Sequence, residues 1–212
     1  MEAPLLEFRS CPPASFGLQT VAALAVTSRR SVAVLSHHTE IELLRKLTVF
    51  AVGEATAGAC RSAGFKRVFT AGGDLEALAN LVCSHKAEIS GRQLLYPAAA
   101  DRAGDLVGLL AKMDIECRLS VVYAMEPVAG FPVDALSAVR QRRTDRILVY
   151  SRRTAEVLQD LIVSEGLEHN FSGLPVYAIS QQAAEPISKM MKVHVADAPN
   201  EKALLDLALA EC

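Results

Sequence analysis

Val26-Thr27-Ser28-Arg29-Arg30-Ser31-Val32-Ala33-Val34-Leu35 returns in outline as Val149-Tyr150-Ser151-Arg152-Arg153-Thr154-Ala155-Glu156-Val157-Leu158, 123 residues further along the chain. Each copy begins as an apolar run, turns at a serine, and continues at helical spacing. Two more segments repeat in the same order. Val49-Phe50-Ala51-Val52-Gly53-Glu54-Ala55-Thr56-Ala57 matches Val176-Tyr177-Ala178-Ile179-Ser180-Gln181-Gln182-Ala183-Ala184, and Arg67-Val68-Phe69-Thr70-Ala71 matches Lys192-Val193-His194-Val195-Ala196. Three matches at nearly constant offset indicate one unit used twice.

The local grammar identifies the unit. Leu24-Ala25-Val26, Val49 to Val52, Ile147 to Tyr150 and Val176 to Ile179 are short, β-branched runs that predict buried strands. Ala- and Leu-rich stretches follow, and the hydroxyls of Thr27, Ser28 and Ser151 are placed to cap them by accepting from orphan helix N–H groups. Alternating strands and helices predict parallel sheets covered on both faces. The expected fold is therefore α/β, with two flavodoxin-like lobes.

One strand–helix unit has no internal partner: Leu94-Leu95-Tyr96-Pro97 as a strand, Asp101 to Met113 as a helix, and Arg118 to Ala124 as the next strand. The run Val121 to Pro127 has a counterpart in Ala3 to Phe8, so the equivalent of Leu94–Ser120 should precede residue 3. The second lobe is expected to lack its first strand and helix, to keep about four strands and one apolar groove, and to be the less stable. Met1 is then a candidate misplaced start. The expected organisation is a first lobe over 8–120, a two-stranded link from 3–7 and 121–126, and a second lobe over 127–212.

Ligands of open parallel sheets bind beyond the carboxyl ends of the strands, where helices begin. Those turns here are Thr27-Ser28-Arg29-Arg30, Gly53-Glu54-Ala55-Thr56, Ala98-Ala99-Ala100-Asp101-Arg102, Ser151-Arg152-Arg153 and Ser180-Gln181-Gln182. They are small and polar, which leaves backbone N–H groups open to anions, and arginines stand beside three of them. Taken singly, each is also explained as an ordinary cap with a solvated arginine. Their recurrence in both halves points to a polyanionic ligand held between the lobes.

Bulk properties exclude other classes. A net charge of −2 gives no global attraction to nucleic acid or an anionic membrane. The basic run Arg140, Arg142, Arg143 and Arg146 lacks interleaved aromatics for base stacking and reads as a solvated helix end. Five scattered cysteines, none closer than 23 residues to the next, show no metal spacing and suit a reducing cytoplasm. Gly72-Gly73-Asp74 lacks the lysine of a phosphate loop, and no Gly-x-Ser-x-Gly elbow occurs. His37, His38 and His194 read as structural. Tyr123 lies on the strand joining the halves, where packing and general-acid roles are both open.

These residues together resemble uroporphyrinogen-III synthase. The resemblance is carried by Val26–Val32, Val49–Ala57, Ala63-Gly64-Phe65, the Leu-Leu-Tyr-Pro to Asp-Leu stretch at 94–106, and Val121-Val122-Tyr123. In the second half it rests on the Ser151 turn, Ala178 to Ala183, and the ending from Ala196. It implies a lyase of heme and porphyrin biosynthesis that needs no metal or organic cofactor, and with the cysteine reading the chain is expected to be a cytoplasmic monomer. Its substrate is the linear tetrapyrrole hydroxymethylbilane, with eight carboxylates, and nucleic acid and membrane are not partners. Hydroxide leaves one end, an azafulvene forms, and a spiro intermediate rearranges before the ring closes with the last pyrrole inverted. By the same resemblance Tyr123 assists loss of hydroxide. Ser28, Ser151 and Thr56 match the family's turn residues, and the turns at the strand ends extend the expected substrate-binding set to Thr27, Ser28, Arg29, Arg30, Gly53, Glu54, Ala55, Thr56, Ala99, Ala100, Arg102, Ser151, Arg152, Arg153, Ser180, Gln181 and Gln182. The chain departs from the family at Ser180 to Ala184, where Gly-x-x-Thr-Ala is usual. The alternative is a non-catalytic or inactive two-lobed binding protein for an anionic metabolite.

Overall fold

The computed structural model describes residues 1–89, 91–102 and 104–210. The chain leaves β1 (Leu6–Ser10) through a loop and enters β2 (Val21–Val26), a strand bonded on both sides. β2 pairs in parallel with β3 (Thr48–Ala51), Val26 standing opposite Ala51, and in parallel with β5 (Gln93–Ala99), Leu24 standing opposite Leu95. Alternation sends Leu24 and Val26 into one apolar cluster with Val32, Leu35 and Leu95, and Ala23 and Ala25 into another with Phe50, Leu78 and Leu94. A strand buried on both faces needs apolar residues at every position, which is why the run does not alternate with polar residues.

Around β2 are α1 (Arg29–Ser36), α2 (Ile41–Leu44), α3 (Glu54–Ser62), β4 (Arg67–Thr70), α4 (Leu75–Ser84), α5 (Lys86–Ile89), α6 (Leu106–Ala111) and β6 (Cys117–Pro127). The sheet order is β1-β6-β5-β2-β3-β4. The compact unit built on it comprises residues 8–125.

The loop before β2 is pinned by local polar chemistry. Phe16 is fully buried, and its N–H donates to Glu40 at 2.7 Å while the Ser15 hydroxyl donates to the same carboxylate at 2.8 Å. These bonds, the Phe16 N–H first, hold the Glu40 carboxyl below its ordinary range. The Nδ1 of His38 accepts from the Glu40 N–H at 3.1 Å, so its Nε2 is the nitrogen that donates to the Pro13 carbonyl at 2.8 Å. His38 is thus a structural tie, and His37 closes the C-terminus of α1.

The other unit comprises residues 1–7 and 126–212. It contains α7 (Val133–Arg140), β7 (Ile147–Val149), α8 (Arg152–Ser164), α9 (Glu168–Phe171), β8 (Val176–Ala178), α10 (Gln181–Ala184), β9 (Val193–Val195) and α11 (Glu201–Ala210). β7, β8 and β9 form a parallel sheet, with Val149 opposite Ala178 and Ala178 opposite Val195. Val149, Leu158, Ile162, Val176 and Ile187 pack in one cluster; Tyr177, Leu204 and Ala208 pack in another. His194 stacks on Tyr177 at 5.0 Å.

Two expectations need correction. The second sheet has three strands among the described residues, against about four expected, and the register of β6 against β5, from Leu94–Cys117 to Ala99–Tyr123, places residues 121–123 in the first sheet. The helix expected from Asp101 begins only at Leu106. Asp105 caps it by accepting the Gly108 N–H at 2.9 Å, while Arg102 donates to the Ala99 and Ala100 carbonyls and stabilises a non-helical loop.

By the repeat, β7 corresponds to β2, yet β8 is its one strand partner among the described residues. Beside it is a cavity of about 690 Å³ whose lining includes Leu5, Leu6, Phe131, Val139, Leu148 and Phe171. The Ile147 N–H donates to Pro175 and the Val149 carbonyl accepts from Ile179, so both residues bond toward β8. Leu148 must direct its N–H and carbonyl to the open side. Its counterpart Ala25 faces β5. Loss of one backbone bond predicts that the Leu148 amide exchanges with solvent at least roughly tenfold faster than that of Ala25. Equal protection in native-state hydrogen exchange would show that the β7 edge is covered.

Candidate functional site

β2, β3 and β5 of the 8–125 unit lead at their carboxyl ends into turns carrying polar residues, and β6 brings Tyr123, from within the strand, to the first of them. β2 ends at Val26, and Ser28 follows in extended geometry as the cap of α1, its Oγ accepting the Arg30 N–H at 3.1 Å. The same Oγ accepts a second bond, 3.1 Å from the Tyr123 hydroxyl of β6. Tyr123 is only 6% exposed, and its ring packs 5.5 Å from Phe8 and within the cluster holding Val26 and Leu35. Its ring is therefore core, while its hydroxyl is tied to the β2 turn. Packing accounts for the ring and not for the hydroxyl.

Thr27, the residue between strand and cap, sends its hydroxyl to that of Tyr96 in β5 at 3.1 Å. Sequence reasoning passed over Tyr96. The available signal was a phenol inside the apolar run Leu94-Leu95-Tyr96, since a buried hydroxyl demands a partner.

Gly53 caps α3 without a side-chain bond, at φ −164°. That extended backbone is open to any residue, and a Cβ there would meet the Gly73 Cα at an ordinary 3.6 Å. Nothing in the fold requires glycine at this position. Glu54 and Ala55 are exposed in the first turn of α3, and Thr56 is buried. Glu54 is taken by Arg61 at 2.5 Å, which holds its carboxyl below the usual range. Ala99 ends β5, and the Ala100 N–H donates to the Tyr123 carbonyl at 2.9 Å, joining this loop to β6.

The arginines separate by their partners. Arg29 and Arg30 are exposed, and neither guanidinium has an ion-pair partner among the described residues. Arg102 is engaged with the Ala99 and Ala100 carbonyls. Arg152, in the other unit, is paired with Glu156 at 2.9 Å and Glu185 at 2.5 Å. Arg153 also has a partner. Equal availability of the five, as the sequence pattern implied, does not hold.

In the unit of residues 1–7 and 126–212 the turns repeat the capping chemistry. Ser151 caps α8 through the Thr154 N–H at 3.1 Å, and Ser180 caps α10 through the Ala183 N–H at 3.3 Å. Gln181 and Gln182 are exposed or nearly so, at the first turn of α10. Ala183 stands where Thr56 stands in the first copy, and both are buried, at 2% and 6% exposure. The departure from Gly-x-x-Thr-Ala thus moves the hydroxyl from the buried first turn to the cap.

Nucleophilic thiol chemistry has no support at neutral pH from Cys60, which is buried, or Cys117, which is half-buried. Burial pushes the Cys60 thiol up to about 11 and the Cys117 thiol up to about 12, leaving negligible thiolate. Among the described residues no cluster of three His, Cys, Asp or Glu is placed to hold a metal ion.

The family model described as "Uroporphyrinogen-III synthase HemD" matches residues 1–206. The crystal structure of uroporphyrinogen-III synthetase from Helicobacter pylori is similar at TM-score 0.67 and 20% identity, covering 98% of this chain and 91% of that one. A mutant uroporphyrinogen III synthase from the extremely thermophilic bacterium Thermus thermophilus is similar at TM-score 0.50 and 15% identity, covering 98% and 86%. At these identities the two structures speak for the fold. No curated protein sequence matches. With the family match running over residues 1–206 and the fold shared along 98% of its length, the chain belongs to the uroporphyrinogen-III synthase family.

Proposed function

We propose that the chain catalyses the cyclisation of hydroxymethylbilane to uroporphyrinogen III, with Tyr123 as the proton donor to the departing hydroxyl. Family membership makes it a lyase of porphyrin biosynthesis. The observation that carries the assignment of chemistry is the Tyr123–Ser28 hydroxyl pair, set at the carboxyl end of β2 beside two arginines without ion-pair partners among the described residues. No described helix is long and apolar enough to cross a membrane. The reading is of a cytoplasmic, monomeric enzyme working on a small molecule.

The chemistry asks little of a protein beyond placement and one proton. Tyr123 gives its proton to the terminal hydroxyl as the carbon–oxygen bond breaks, and water leaves. The pyrrole N–H proton that is then lost restores the Tyr123 phenol and leaves the azafulvene, which the far pyrrole attacks to form the spiro intermediate. Rearrangement and closure follow with no further atoms gained or lost. The protein's contribution is to fold the substrate into reach and to keep solvent from the azafulvene. Arg29, Arg30 and the open N–H groups at the caps of α1 and α3 are suited to the substrate carboxylates. The turns at Ser151 and Ser180 offer the same backbone chemistry in the other unit.

The decisive assay supplies hydroxymethylbilane and measures type III against type I uroporphyrinogen. The spontaneous product is type I, so enrichment of type III is expected, and a product indistinguishable from the uncatalysed mixture would overturn the reading in favour of a binding protein. Three variants sharpen it. Tyr123→Phe keeps the ring in its cluster and should lower kcat about 10²-fold, the low end for an acid that water can partly replace; an unchanged kcat would return Tyr123 to packing alone. Arg29→Ala and Arg30→Ala should each raise KM by up to about fivefold, in line with the ~0–1 kcal/mol of an exposed ion pair, whereas Arg152→Ala, already neutralised by two glutamates, should raise it less. The reverse ranking would refute the division of arginines drawn from their partners. Gly53→Ser supplies the missing α3 cap and should hold or raise Tm, by an amount worth about 1 kcal/mol at most, while its Cβ obstructs the turn and raises KM. Retained KM in a stable variant would show that the substrate does not approach Gly53.

A further inference from the structure

Two consecutive residues at the end of β2 are each held by a tyrosine hydroxyl, and the tyrosines come from opposite faces of the sheet. Tyr96 lies in the cluster with Ala23, Ala25 and Leu94, while Tyr123 lies in the one with Leu24, Val26 and Leu95. Side chains alternate along an extended segment, so Thr27 turns to Tyr96 and Ser28 to Tyr123, both at 3.1 Å. The Ser28 oxygen accepts two bonds, from Tyr123 and from the Arg30 N–H. Both its lone pairs are then used, and its orientation depends on how the Thr27–Ser28 backbone is held.

Tyr96 is 2% exposed, and burial pushes its phenol ionisation upward, so it remains neutral. A phenylalanine would fill the same apolar space at no polar cost. The hydroxyl has one purpose visible in the fold, its bond to Thr27. We propose that Tyr96 is a positioning residue: by fixing Thr27 it holds Ser28 aligned on Tyr123, and so sets the proton donor without touching the substrate. This rests on the assignment of Tyr123 as the acid.

The test combines an activity arm with one that needs no activity. In protein carrying tyrosine labelled with ¹³C at the ring carbon bearing oxygen, the four tyrosines give four signals. Tyr96→Phe should remove one and shift that of Tyr123, together with the Arg30 amide. Thr27→Val, which cuts the same bond from the other end, should reproduce both shifts, whereas the exposed Tyr150→Phe should not. In the assay, Tyr96→Phe should lower kcat by roughly three- to tenfold with KM little changed, well short of removing the acid. In a Tyr123→Phe background the same substitution should have almost no further effect on kcat, since it acts through the group already removed. Unmoved Tyr123 and Arg30 signals in both variants, or losses in kcat that multiply in the double variant, would overturn the proposal and leave Tyr96 a packing residue. If the parent protein does not enrich type III product, the reading of function fails by itself, and the spectra still decide whether Tyr96 positions Tyr123.

Discussion

The pairing of β2 on both edges is the constraint from which the 8–125 unit follows. A strand between two parallel neighbours can leave the sheet only past its carboxyl end, and here it does so through Thr27 and Ser28 into α1. β3 and β5 run parallel to β2, so Gly53 and the Ala99–Arg102 loop emerge at that same edge. The polar turns are together because the strands are parallel. Tyr123 reaches them because the register of β6 against β5 sets it opposite Ala99.

That arrangement reconciles two demands on Tyr123. A packed ring has a fixed direction, and a hydroxyl at its tip is then delivered with little conformational entropy left to lose. In the role proposed for Tyr123, a proton donor in a flexible side chain would have to be ordered on each turnover. The surrounding groups are tied in the same way: Ser28 by its cap, Ala100 by the Tyr123 carbonyl, Arg102 by two loop carbonyls. Arg29 and Arg30 stand apart as exposed charges without ion-pair partners among the described residues.

The unit of residues 1–7 and 126–212 repeats the plan with fewer bonds. β7 has the turn, the serine cap and the long amphipathic α8, but among the described residues a strand partner on only one edge, and an apolar cavity lies beside it. Local capping chemistry survives the difference because it depends only on residues two or three apart. The sheet does not, because each lateral neighbour is a separate long-range pairing.

What the sequence determined by itself is what neighbouring residues can decide. The strand–turn–helix repeats, the caps at Ser28 and Ser151, and the buried, unalternating strands were legible because capping and burial act within a few positions. Helix onset failed at Asp101, where Asp105 competed as a cap and Arg102 took loop carbonyls instead. Only the tertiary structure decided which hydroxyls meet: Tyr123 is 95 residues from Ser28 and Tyr96 is 69 from Thr27. It likewise decided that Arg152 is spent on Glu185, 33 residues away, while Arg29 and Arg30 find no such partner among the described residues. Contacts at such separations are set by strand register and sheet order, and no local pattern encodes those two quantities.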